Sequence, residues 1–148
     1  MKTIETEIHI DASASRVWGV LVDLERYRDW NPFVVEASGS LSEDARISVR
    51  IRPEGKRATA FRPRVVALEP ERRLAWLGHL GIRGVFDGEH SFELHPAPGA
   101  GTRFVQRERF TGILARPLLR WIAAPTRDGF EAMNAALKTR AERPVMAG

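Results

Sequence analysis

His90 and Glu108 are the two side chains of this sequence best placed for acid–base chemistry. His90, Phe92 and Leu94 alternate with Glu89, Ser91 and Glu93, and Thr102, Phe104, Gln106, Glu108 and Phe110 alternate with Arg103, Val105, Arg107 and Arg109. Period-two alternation is the signature of a strand with one buried face. If the intervening turn, HPAPGAG, is centred near Pro98-Gly99, then Leu94 pairs with Phe104, Phe92 with Gln106 and His90 with Glu108. One histidine and one carboxylate then face each other among aromatics. A carboxylate in apolar surroundings is costly unless paired or protonated, and a histidine opposite lowers that cost. Such a pair suits proton transfer to a bound small molecule near neutral pH. A buried structural pair, or a Glu108 at an open rim, is the preferred reading, because structural pairs perturb titration as readily as catalytic ones.

Other chemistries lack their residues. There is no cysteine, which removes disulfides, thiolate metal sites and cysteine nucleophiles. His9 and His95 fall on a polar face or beside a turn, and the parity of His79 is unreadable. No two histidines have metal-site spacing, so neither a metal nor a cofactor is expected. No Gly-x-Ser-x-Gly elbow is present, and Ser13, Ser15, Ser38, Ser40 and Ser42 read as caps or turns. Glycines at 78, 81, 84 and 88 lack the Lys-Ser/Thr of a phosphate loop and its strand–turn–helix setting, and read as a flexible strand connection.

At 148 residues the chain fits one domain, 1–148, with a tail from Pro144 expected to fray. The net charge is +4, and only Lys2, Lys56 and Lys138 of 23 basic residues are lysine. Arg50 and Arg52, Arg62 and Arg64, and Arg107 and Arg109 alternate along strands, the pattern of a water-facing sheet rather than of a nucleic-acid stripe. The opening MKTIETEIHIDAS carries acidic residues where a signal peptide needs an apolar run. No segment approaches the ~20 apolar residues of a membrane span, so a cytoplasmic protein without integral membrane association is expected.

The elements that must position the pair follow from the same patterns. Ile4, Ile8 and Ile10 alternate with Glu5, Glu7 and His9 as a first strand. Asp11 or Ser13 caps a helix with Val17, Trp18, Val20, Leu21 and Leu24 on one side, and a second short helix through Tyr27 and Trp30 stops at Asn31-Pro32. Strands follow around Val34 to Glu36, Ile47 to Ile51, Ala58 to Leu68, where Pro63 marks a bulge or an edge, and Leu74 to Leu77. A final amphipathic helix carries Phe130, Met133, Asn134, Leu137 and Ala141 on one stripe, kinked or interrupted near Pro125. The order predicts an α+β sandwich, an antiparallel sheet covered by one long helix.

The opening strand ending Ile10-Asp11-Ala12, Val17-Trp18, the Asp23 to Pro32 turn, the Gly88-x-His90-x-Phe92 strand and the closing GFEAMNAALKTRAE together resemble the START-like, SRPBCC superfamily, near its polyketide cyclase/dehydrase and lipid-transport branch. The resemblance implies a helix-grip fold, in which a curved seven-stranded antiparallel sheet wraps the C-terminal helix around a deep apolar cavity. Trp30, Phe33, Val49, Ile51, Phe61, Trp76, Phe92, Phe104, Gln106, Phe130, Met133 and Leu137 would line it beside His90 and Glu108. The segment Gly78 to Gly88 and the Asn31-Pro32-Phe33 turn are the candidate mouth. The expected function is binding or transport of a hydrophobic small molecule, such as a lipid, an aromatic or a polyketide-like ring, by a monomer or homodimer without a nucleic-acid partner. The alternatives are a cyclase or dehydratase using His90 and Glu108, and a co-chaperone-like interaction domain.

Overall fold

A computed structural model describes residues 2–144, so the expected tail beyond Pro144 lies outside the described residues. The chain runs β1 (Lys2–Ile10), α1 (Ala14–Val22), a 3-10 turn (Leu24–Arg26), α2 (Tyr27–Trp30), β2 (Val34–Ser38), β3 (Ser48–Ile51), β4 (Thr59–Phe61), β5 (Arg64–Glu69), β6 (Arg73–His79), β7 (Asp87–Pro96), β8 (Thr102–Thr111) and α3 (Ala115–Glu142). Ser13 caps α1 by accepting from the Arg16 amide, at 3.2 Å. Asp11 instead presents its own amide to Glu142, tying β1 to the end of α3.

The strands form two antiparallel sheets, one ordered β1-β8-β7-β6-β5 and one ordered β2-β3-β4, rather than the single seven-stranded sheet expected. Pro63 is the physical reason. It has no amide hydrogen for a ladder, so the strand read as continuous from Ala58 to Leu68 breaks into β4 and β5. The Ile47 amide donates to the Pro63 carbonyl at 3.0 Å, and Arg46 bridges Arg64, so the two sheets stay joined across the break.

The β7–β8 register is the one the alternation implies, with Leu94 opposite Phe104, Phe92 opposite Gln106 and His90 opposite Glu108. α3 packs across this face with Phe130, Met133, Asn134, Leu137 and Ala141 all buried. It runs unbroken through Pro125. The proline deprives the Trp121 carbonyl of its helical donor, but Trp121 is 79 % exposed and water can supply one. The Pro125 carbonyl itself accepts from the Glu54 amide at 3.2 Å, which holds the β3–β4 loop on the helix.

Polar groups lock the helix onto the sheet. Asn134 on α3 donates to the Thr6 hydroxyl of β1, and Gln106 of β8 donates to the Asn134 carbonyl oxygen, each at 2.8 Å. Lower on the helix, Gly129 lets the Phe33 ring lie directly on the backbone, and Phe33 meets Phe130 edge to face at 5.3 Å between centroids. A Cβ at residue 129 would overlap Phe33 Cδ1. Gly129→Ala should gain ~1 kcal/mol in helix propensity and lose ~1–3 kcal/mol to overpacking. The overlap reaches Cγ, where the Phe33 ring joins its Cβ, and the ring is packed against Phe130 and His90, so the clash wins. A lower denaturation midpoint for Gly129→Ala is expected, and an unchanged or raised one would refute this packing.

Candidate functional site

The helix covers one part of the β7–β8 face closely and stands off from the other. At the Gln106–Asn134 end the contacts are dense. Toward Gly88 and Phe110 the first half of α3, β3, β4 and β6 enclose a cavity of about 270 Å³ that opens to the surface. Of the sequence candidates, Phe33, Val49, Ile51, Phe61, Trp76 and Glu108 line it.

His90, Phe92, Phe104, Gln106, Phe130, Met133 and Leu137 do not line this cavity. They form the packed core beside it, each nearly or fully buried. Trp30 is turned away, into a separate surface groove with Arg16 and Arg140. The cause is Asn31, whose side-chain oxygen accepts from the amides of Phe33 and Val34 at 3.0 and 2.9 Å and reverses the chain between the two aromatics.

Several wall residues were not among the sequence candidates: Phe86, Phe110, Leu80, Ile122, Thr126 and His79. Phe110 shares the parity of Glu108, and Ile122 and Thr126 extend the α3 stripe backward, so those signals were present. His79, Leu80 and Phe86 lie in the Gly78 to Gly88 segment read as the candidate mouth, but nothing in their spacing marked them individually as wall residues. Phe86 precedes β7 and stacks on Phe110 at 5.4 Å. His79 ends β6, and its Nδ1 lies 2.7 Å from Asp87 Oδ1. The Asp87 carboxylate also accepts from the Gly84 amide. Burial raises the pKa of Asp87, yet these hydrogen bonds hold it below its ordinary value. The glycine-rich connection is therefore a pinned turn at the cavity edge rather than a loose loop.

Glu108 is the acid of this site. Its side chain is 18 % exposed, and that exposure is toward the cavity. Its carboxyl lies over Gly88, where a Cβ would overlap Oε2. His90 sits behind it, 1 % exposed, with Nδ1 3.6 Å from Glu108 Oε1. The imidazole stacks on Phe92 at 4.5 Å and also meets Phe130, at 4.9 Å.

The amide chain sets where the protons sit. The Gln106 amide nitrogen donates to Asn134, so its carbonyl oxygen faces His90 Nε2 at 2.8 Å and requires a hydrogen there. In the neutral ring Nδ1 then holds a lone pair directed to the Glu108 side, and no hydrogen bond reaches it. An ion pair at 3.6 Å is geometrically open, but burial opposes it at both partners. Burial lowers the pKa of His90 to about 4, despite the opposing bond from Gln106, and raises that of Glu108 to about 8. Near neutral pH the pair is an uncharged imidazole behind a protonated carboxyl. Glu108 can donate a hydrogen bond or a proton into the cavity, whereas His90 is too weak a base to remove one there.

A long helix gripped against antiparallel sheet, with an apolar cavity between them, defines the helix-grip class of α+β proteins. This chain belongs to the START-like (SRPBCC) polyketide cyclase/dehydrase and lipid transport family, whose pattern it matches over residues 1–142. A search of curated proteins finds no match. Among solved structures, the Zhui aromatase/cyclase of Streptomyces sp. R1128 superposes with a TM-score of 0.75 at 20% identity, covering 99% of this chain and 96% of that one. A START superfamily protein of Mycobacterium smegmatis gives 0.68 at 15% identity, covering 93% and 97%. A hypothetical protein of Helicobacter pylori gives 0.78 at 15% identity, covering 95% and 88%. At these identities the likeness is one of fold.

The opposed shifts give a defined pH dependence. Between about 4.5 and 8 folded Glu108 keeps a proton that the unfolded chain releases, so its contribution to stability falls as pH rises. Between about 4 and 6.5 the unfolded chain binds a proton that folded His90 refuses, so that contribution rises with pH. The two offset each other from about 4.5 to 6.5, and from 6.5 to 8 the Glu108 loss stands alone. Glu108→Gln should remove that decline and be more stable than the parent at pH 8.5, by on the order of a few kcal/mol. Urea titrations at pH 6 and 8.5 check this. An equal decline in both proteins would show that Glu108 is ionised in the fold.

Proposed function

We propose that this protein binds a small, largely apolar molecule in the cavity, oriented by a hydrogen bond from the Glu108 carboxyl. The supporting observation is the combination of an apolar wall with one acid that reaches it uncharged. An uncharged carboxyl donates well to a ligand carbonyl or ether oxygen and carries less desolvation cost than a carboxylate. A volume of about 270 Å³ lies just under the roughly 300–1,000 Å³ of drug-sized ligand sites, which favours a one- or two-ring compound over a long acyl chain or a fused polyketide.

A catalytic reading rests on the same proton. Glu108 could act as a general acid on a bound carbonyl, and one structural relative is described as an aromatase/cyclase. His90 is walled off from the cavity, which limits it to acting through Glu108. The carrier reading needs only the cavity and is preferred.

The test uses N-phenyl-1-naphthylamine, a neutral two-ring fluorophore, with native mass spectrometry of protein purified from its source. The fluorophore should bind one-to-one with enhanced emission, and Ile51→Trp and Thr59→Trp, which fill the cavity from β3 and β4, should each weaken it at least ~tenfold. Full binding by both variants, with no ligand retained at the source, would reject the cavity as a binding site.

A further inference from the structure

The large apolar side chains that remain exposed gather at one end of the molecule. Among the described residues they are Leu80, Ile82, Ile113, Leu114 and Trp121, with Ile82, Ile113 and Trp121 between 76% and 80% exposed. They belong to two segments bonded to each other: the Ile113 amide donates to the Gly84 carbonyl at 3.1 Å, and the Leu114 amide to the Val85 carbonyl at 2.9 Å. Both segments border the cavity, which Leu80, Phe86 and Ile122 line. The β3–β4 loop, held to α3 through the Glu54 amide, closes the third side with Pro53 in the wall.

The charges of this end are one-sided. Segments 52–58, 80–86 and 113–121 carry Arg52, Lys56, Arg57, Arg83, Arg116 and Arg120 against a single acid, Glu54. All six basic residues are exposed, and among the described residues none joins an ion pair. Elsewhere Arg26, Arg50, Arg64, Arg73, Arg103 and Arg107 do join ion pairs, Arg107 with both Glu5 and Glu93. Asp87, at the end of the glycine turn, faces Arg83, yet cations remain in excess here. Excess cations around protruding Ile and Trp side chains have the composition of surfaces that lie on anionic lipid, with apolar groups in the acyl boundary and cations at the phosphates. No helix among the described residues is long and apolar enough to cross a membrane, so such contact would be peripheral.

We propose that the cavity mouth docks on an anionic lipid surface, with Ile82, Ile113 and Trp121 inserted and the six basic residues on the headgroups. A ligand of the apolar cavity would then pass between bilayer and protein without crossing water. This surface goes beyond the small-molecule reading and does not depend on it.

Flotation with vesicles of phosphatidylcholine containing phosphatidylglycerol, or of phosphatidylcholine alone, tests the proposal on the full chain. Binding should require the anionic lipid and weaken as salt rises. The double variants Ile82→Ser with Trp121→Ala, and Arg116→Ser with Arg120→Ser, should each lower it at least ~tenfold while leaving fluorophore binding unchanged. Failure to float with anionic vesicles overturns the proposal, as does equal flotation of the variants. So does a dimer in light scattering that the apolar double variant converts to monomer, since a second copy would then be the occupant. A parent chain that floats with anionic vesicles but binds no fluorophore would reject the cavity reading and leave the docking surface standing.

Discussion

The structure depends on satisfying polar groups that are buried where the helix crosses the sheet. Thr6, Asn134, Gln106 and His90 form a single line of hydrogen bonds from β1 through α3 and β8 to β7, each link 2.8 Å long. Each member is buried, so a one-turn slip of α3 would strand an amide in an apolar core at a cost of about 1–3 kcal/mol per group. Apolar contacts press the helix onto the sheet without choosing a register. The amides choose it, and they pass the choice on to the proton on His90.

The same arrangement divides the β7–β8 face in two. Beside Asn134 the helix sits close, and His90, Phe92, Phe104 and Phe130 pack as core. Beyond His90 the face bears Gly88 instead of a side chain, and Glu108 folds its carboxyl over that glycine. Space opens where bulk is missing. An acid is tolerated there because burial keeps it protonated, and because the cavity leaves it partly accessible. The network therefore ends on an uncharged donor facing an apolar space, which is why recognition of a neutral ligand is a better fit to the site than charge-based binding.

Membership of the family and the likeness to solved structures fix the helix-grip architecture, while the cavity walls depend on local features of this chain. Pro63 splits a strand and itself lines the cavity, and the Asn31 turn sends Phe33 inward and Trp30 outward. The pinned glycine turn brings Phe86 and His79 to the wall. These features shape the space without altering the order of elements.

The sequence by itself determined the element order, the β7–β8 register and the buried stripe of α3, because alternation at period two, helical spacing and a short turn are local properties of the chain. It also put His90 opposite Glu108. Only the tertiary structure decided which part of that shared face is core and which is cavity, since this depends on where α3 lies across the strands. Parity could not separate Phe92 and Phe104 from Phe110, which have the same side of the sheet but different cover. Nor could it reveal that His90 is screened by Glu108, or that the Gln106 amide fixes its tautomer. Those depend on a contact with Asn134, 28 residues away in the chain, and a contact of that span has no signature in local spacing.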